Sequence, residues 1–275
     1  MNEFESWRSF EKFASSVKNK YRYIQMIEVK EFLDTLIETS KDKQILLNKE
    51  KVLYRSQRGY DEVEEYDQNG GTPIGIIDLP YSQERMIPKA EKSRNGRANP
   101  CGIPCLYLSD DLETAMAEVR PWRKERISIA IFKVIRDIKI IDFSNIESLS
   151  RFYFKEPKDA VKEKEVWASV NRAFSEPVNV EDQEKDYIPT QIISELFKSR
   201  GFDGIKYKSM LASGNNYSLF NLKDAIPTNG VIYEVNKIQY QFEQCSNPVE
   251  YSLDGTNTRK YNKIVRFIPV KEKET

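Results

Sequence analysis

Between Arg94 and Trp122 the chain reads RNGRANPCGIPCLYLSDDLETAMAEVRPW, a stretch whose residue types could do chemistry together. It opens with a basic, polar loop (Arg94, Asn95, Gly96, Arg97, Asn99) that closes at Pro100 and Gly102. Cys105 to Leu108 then reads as a short apolar strand carrying Tyr107. Asp110 is the predicted N-cap of a following helix, with Glu113 completing a capping box. Leu112, Ala115, Met116 and Val119 recur at helical spacing and should face a core. Glu118 stands beside that stripe, two turns in, and Pro121 ends the run. Guanidinium groups can hold phosphate oxygens in a planar fork. A tyrosine offers a flat face, and a carboxylate can steady developing positive charge. Loop, strand and capped helix together would bring these groups into one site.

The rest of the composition narrows what that site could do. The chain contains no histidine, which excludes Ser–His–Asp and Cys–His catalysis, His-ligated zinc and the usual neutral-pH proton shuttle. Lys plus Arg and Asp plus Glu each number 43, so the net charge is zero and a nucleic-acid partner held by bulk electrostatics is not expected. No apolar run reaches the length of a membrane span, and MNEFESWRSF has no signal-like core, so no membrane partner is expected. Three cysteines, Cys101, Cys105 and Cys245, make no disulfide framework and point to a reducing cytoplasm. Cys101 and Cys105 flank Pro104 without further ligands, short of the closed shell zinc requires, so no metal is expected.

Positioning elements follow from periodicity. Phe4, Trp7, Phe10 and Phe13, then Phe32, Leu33, Leu36 and Ile37, predict two N-terminal helices within residues 1–45. Val52 to Arg55 predicts a strand with Arg55 at its end, before a long irregular stretch over 57–104. Gly70-Gly71 and Thr72-Pro73 mark turns there, with a short strand over Ile74 to Ile77. Strands are predicted over Ile127 to Val134 and Ile138 to Phe143, and two helices around Phe152 and Trp167. A helix follows from Thr190 to Ser199, closed by a glycine-bounded turn. Next come a strand from Ile205 to Tyr207, a loop over 214–216 and a strand from Tyr217 to Phe220. The last segments are strands near Val231 to Val235, Ile238 to Phe242 and Ile264 to Val270, with a charged tail over 271–275.

Four segments in order resemble the RES-domain family, named for Arg, Glu and Ser: LYR at 53–55, GRANPCGIPCLYLS with TAMAEVRPW at 96–122, PTQ at 189–191, and GFDGIKYKS with NNYSLF at 201–220. Residue by residue, Arg55 resembles the family arginine, Glu118 its glutamate and Ser209 its serine, and Tyr107 the tyrosine preceding the glutamate. Ser56 stands where small toxins of the family often carry an aromatic residue. The long segment between Glu118 and Ser209 resembles larger members.

The resemblance implies an α+β fold similar to ADP-ribosyltransferases, a split mixed β-sheet with surrounding helices. Residues 49–275 would form the domain, with the core match at 50–222, a helical insertion at about 145–185, and residues 1–48 as an N-terminal helical extension. The implied activity is NAD+ degradation by cleavage of the nicotinamide–ribose bond, with inorganic phosphate or water as acceptor. Transfer of ADP-ribose to a protein or nucleic acid is the alternative, and a non-enzymatic interaction module the third. Arg55, Tyr107, Glu118 and Ser209 would be catalytic, and Arg97, Asn99, Thr190, Gln191 and Asn216 would line the substrate cleft. NAD+ enters as substrate, so no bound cofactor is implied. Lys208, Arg97 or Arg94 would hold a phosphate co-substrate. A protein antitoxin and a second copy of the chain are the implied partners.

Overall fold

Phe10, Phe13 and Val17 bury one side of α1 (Ser9–Asn19), and Val29, Phe32, Leu33 and Leu36 do the same for α2 (Ile27–Glu38). Phe13 and Phe32 stack at 4.6 Å between ring centres and pin the pair together. The computed structural model describes residues 3–67, 71–149, 153–178 and 183–240, residues 242 and 244, and stretches 249–251 and 259–261.

After β1 (Gln44–Leu47) come β2 (Val52–Arg58), β3 (Asp61–Tyr66), β4 (Pro73–Leu79) and the single-turn α3 (Gln83–Met86). The predicted site stretch supplies β5 (Leu106–Ser109) and α4 (Leu112–Glu118). Next are β6 (Arg126–Val134), β7 (Ile138–Asp142), α5 (Asp159–Ser175), α6 (Gln183–Asp186) and α7 (Ile188–Ser199). The chain returns through β8 (Gly204–Lys208), β9 (Asn215–Leu219) and β10 (Ala225–Glu234). Residues 1–236 make one compact unit. The second, residues 237–275, contains β11 (Val249–Tyr251) paired antiparallel with β12 (Arg259–Tyr261).

The fold is mixed α+β, built on an eight-stranded sheet in the order β1-β7-β8-β9-β5-β2-β6-β10. Strands β7 and β8 run parallel, connected through the helices between them, while the other neighbours are antiparallel. Side chains alternate across a strand, so the two faces of the sheet feed separate cores. Trp167, Phe174 and Phe197 from the helices meet Phe143, Ile205 and Tyr207 on one side, in a core that includes α1 and α2. Leu53, Leu106, Leu108, Phe132 and Leu219 form the other, capped by Met86 of α3. Most of the sheet is well laddered, but β2 and β5 share a single register pair, Tyr54 with Ser109.

Several expectations need correction. Residues 57–104 are less irregular than expected: the predicted strand over 74–77 lies within β4, but β2 also runs on to Arg58, β3 pairs with β4 in a hairpin, and α3 follows. Every residue of β4 is exposed, so the hairpin lacks the in–out hydrophobic alternation by which a strand is read. Arg55 therefore sits mid-strand rather than at a strand end. The N-cap of α4 is Asp111, whose carboxylate accepts from the Thr114 backbone N–H at 2.8 Å. Asp110 instead receives the backbone and side-chain N–H groups of Asn215, at 2.8 and 2.9 Å. Asn216 lies within β9, not in a loop, because its backbone pairs with β5 and β8. Strand β10 starts at Ala225 and absorbs a register shift between Pro227 and Asn229. Residues 235–240 form no strand. Phe152, Cys245, the strand expected over 264–270 and the tail at 271–275 lie outside the described residues.

Helix α7 ends as expected: Gly201 takes a left-handed φ of 82° just past the helix. Gly204 answers a different constraint, since a Cβ there would lie 2.6 Å from the Ser218 carbonyl of the neighbouring strand. Gly204→Ala should therefore lower stability by roughly 1–3 kcal/mol through forced backbone displacement, read as a shift in the urea midpoint.

Candidate functional site

The site gathers where the sheet is least closed. Tyr107 and Ser109 project from one face of β5, and Asn216 of β9 stands directly across from Ser109. Helix α4 then delivers Glu118 from its last turn. It stops there because Arg120 adopts a left-handed φ of 46°, the position past a helix end usually given to glycine, and Pro121 follows.

The Glu118 carboxylate is held asymmetrically. Ser209 Oγ donates to its Oε1 at 2.7 Å, and Asn216 Nδ2 donates to the same oxygen at 2.6 Å. Oε2 has no hydrogen bond among the described residues, and the side chain as a whole is exposed. The donors are themselves fixed. Ser109 Oγ donates to Asn216 Oδ1 at 2.8 Å, which sets the amide's orientation, and Ser209 Oγ accepts the Leu211 N–H at 3.1 Å. One carboxylate oxygen is thus tied into a buried polar chain, and the other is left for something else.

Arg55 occupies the gap between β2 and β5. Its Nη1 donates to the Tyr107 carbonyl at 3.1 Å, a group that the single-pair junction leaves without a β2 backbone partner. Its Nε is sealed from solvent with no hydrogen-bond partner, and no carboxylate pairs with it among the described residues. Burial pulls its pKa down to about 10, partly offset by Tyr107, so the group remains a cation at neutral pH. The residue as a whole is half-buried, and a cation so placed without a counter-ion carries a desolvation cost that an anionic ligand would relieve.

Two cavities meet at this arginine. One, of about 330 Å³, is walled by Tyr54, Tyr107, Ser109, Glu118, Tyr207 and Asn216. The other, of about 660 Å³, is bordered by Arg85, Lys89, Lys92, Arg94 and Asn99. Arg55, Gly96 and Tyr107 line both. One side therefore presents a carboxylate among aromatic rings, the other a group of cations.

Other expected residues are brought in as supports. The Tyr107 hydroxyl donates to Asn99 Oδ1 at 2.7 Å and accepts the Ala98 N–H at 2.9 Å. Asn99, nearly fully buried, spreads its amide over Ser93 Oγ and the Arg94 and Pro100 carbonyls. Gln191 Nε2 reaches the Gly96 and Asn99 carbonyls, both at 2.9 Å, so α7 braces the basic loop. Arg97 lines the smaller cavity, yet its guanidinium donates to the Ala173 and Glu176 carbonyls at the end of α5. Thr190 is fully buried, bonded to the Tyr187 carbonyl, and lines neither cavity. Ser209 also lines neither and meets the site through Glu118. Lys208 pairs with Glu147 at 2.9 Å, while Arg94 borders the larger cavity.

Sequence reading missed Ser109, Ser56, Tyr187 and Tyr207, which line the smaller cavity. Ser109 had a signal: it is the polar residue two positions beyond Tyr107, on the same strand face. Lys89 and Lys92 were hidden inside a stretch taken as loop.

An α+β domain with a polar cleft at a sheet discontinuity is the class defined here. Residues 77–242 match the RES domain, and the chain belongs to that family. Tyr107, Glu118 and Ser209 fall inside the match, and Arg55 lies ahead of it. No curated protein matches the chain. A solved structure described as the M. tuberculosis MbcT–MbcA toxin–antitoxin complex contains a chain similar to it at 12% identity and a TM-score of 0.39. The alignment covers 72% of this chain and 92% of that one.

Two outcomes follow from the supports. Tyr107→Phe leaves the Asn99 Oδ1 and the Ala98 N–H without their partner, so stability should fall by about 1–3 kcal/mol. Limited proteolysis should then cut more readily within residues 94–99. Burial also raises the pKa values of Tyr107, Tyr207 and Tyr217. The unfolded chain loses these protons near pH 10 while the folded chain retains them, so stability should be full below about pH 10 and decline above it. Urea midpoints measured at pH 8 and pH 11 check the sign.

Proposed function

We propose that this protein degrades NAD+ by breaking the nicotinamide–ribose bond, on a sheet split in the manner of ADP-ribosyltransferases. The observation that carries the reading is the half-buried Arg55, without a counter-ion among the described residues, where the cavity that holds the Glu118 carboxylate meets the one lined by Arg85, Lys89, Lys92 and Arg94. Membership of the RES domain family supports it. Each cavity falls within or close to the range of small-ligand sites, about 300–1,000 Å³.

In this reading the diphosphate lies against Arg55, with the adenosine end toward Arg85, Lys89, Lys92 and Arg94. The nicotinamide riboside occupies the smaller cavity between the rings of Tyr107 and Tyr54. Nicotinamide leaves from an already cationic nitrogen, so its departure requires no general acid, and a site without histidine suffices. The ribose passes through an oxocarbenium-like state. Glu118 would use its free Oε2 on the ribose hydroxyls and on the developing positive charge. Ser209 and Asn216 position that carboxylate through Oε1. Tyr107 contributes its ring face and keeps the loop at 94–99 in place.

The acceptor is phosphate or water. Since Arg97 and Lys208 already have partners, phosphate would enter beside Arg94. A macromolecular acceptor is the alternative, and a protein antitoxin or a second copy of the chain would be the regulatory partner. Growth arrest with falling NAD+ on expression tests the toxin role.

Purified protein with NAD+ should release nicotinamide, faster with added phosphate if phosphorolysis is correct, and yield free product rather than labelled macromolecule. Glu118→Gln, nearly isosteric, should lower kcat by about a hundredfold or more while leaving the fold intact. Unchanged turnover in that variant would remove Glu118 from the chemistry, and no nicotinamide release under any phosphate condition would remove the enzyme reading.

A further inference from the structure

A second surface stands apart from the cleft. The hairpin of β3 and β4 is a separate two-stranded sheet, and the outer edges of both strands are unpaired among the described residues. Ile74 and Ile76 are 62% and 68% exposed, on a strand with no buried residue. Glu64 stands across from Ile76 and Glu62 across from Asp78, so the same face mixes isoleucine with carboxylates. Proteins commonly protect such edges with charged side chains, lysine above all, a proline within the strand or a covering element. Here Pro73 only begins β4, and no lysine or arginine occurs from Gly59 to Glu84, while that span contains seven acidic residues in a chain of zero net charge.

The body of the domain neutralises only part of this. Asp78 pairs with Arg126 and Asp61 with Arg85. Glu62, Glu64 and Glu65 have no cationic partner among the described residues; Glu62 and Glu64 are met only by the hydroxyls of Tyr60 and Tyr66. Apolar side chains and free backbone groups provide adhesion, and uncompensated carboxylates choose the sign of what adheres.

We propose that the β3–β4 ribbon docks an extended segment of a partner protein in which lysine or arginine alternates with apolar residues. Its basic side chains meet Glu62 and Glu64, and its apolar ones cover Ile74 and Ile76. A second copy of the same ribbon is a poor occupant, because identical carboxylates would be brought together.

The test uses the full chain and two fluorescent ten-residue peptides, one alternating lysine with valine and the other glutamate with valine, followed by anisotropy. The lysine peptide should bind, the glutamate peptide should not, and raising the salt should weaken binding about tenfold. Glu62→Lys with Glu64→Lys should invert the preference, and Ile74→Ser with Ile76→Ser should abolish binding of either peptide, with circular dichroism unchanged in both variants. Equal binding of the two peptides, no binding of either, or a preference that survives charge reversal would overturn the proposal. So would sedimentation showing a dimer that the isoleucine substitutions dissolve, since that would assign the ribbon to a second copy.

Discussion

One incomplete ladder organises the structure. Strands β2 and β5 are neighbours in the sheet, yet only Tyr54 and Ser109 pair across them. A sheet that stops pairing in its interior leaves backbone groups that must be satisfied some other way. Arg55 does part of this by donating to the Tyr107 carbonyl, and in doing so brings a cation into the gap. The cavities on either side exist because the strands do not close. The same arginine that compensates the opening lines both cavities. Both flanks of the gap are firmly held: β2 is laddered to β6 along its length, and β5 to β9. The cleft is therefore a discontinuity between two rigid halves, and its polar groups can be held in place without a mobile segment.

The same economy shows in how the carboxylate is presented. Glu118 terminates a helix of only seven residues, and a short helix alone would hold it loosely. Its orientation comes from across the sheet, through Asn216 and Ser209, and ultimately from Ser109. These residues come from β5, β9 and the turn after β8, elements already locked by ladder pairing. Preorganised donors cost little reorganisation when charge develops, and this is the physical ground on which the proposed role of Glu118 rests.

The chemistry-bearing residues were more legible in the sequence than the framework around them. Tyr107 and Glu118 stood out because an alternating strand and an amphipathic helix each leave one polar residue conspicuous. Arg55 and Ser209 did not stand out by themselves: an arginine within a strand and a serine in a turn are unremarkable until segments far apart in the chain are considered together. Of the hairpin at 61–79 only the strand over 74–77 was legible; β3 was not, since a ribbon exposed on both faces has no buried face to impose a period of two. The distinction between Asp110 and Asp111 as helix cap was equally invisible. Both are good caps, and only the pairing of β5 with β9 commits Asp110 to Asn215. Supports such as Gln191 and Asn99 are polar residues whose partners are distant backbone carbonyls, and no local pattern marks those.

The central claim, that the two cavities are one substrate cleft joined at Arg55, can be tested by a crystal structure of the Glu118→Gln variant soaked with NAD+. The diphosphate oxygens should lie within hydrogen-bonding distance of the Arg55 guanidinium, with the nicotinamide ribose on the residue-118 side and the adenosine toward Lys89 and Arg94. A dinucleotide bound elsewhere, or lying wholly in one cavity with Arg55 untouched, would contradict it.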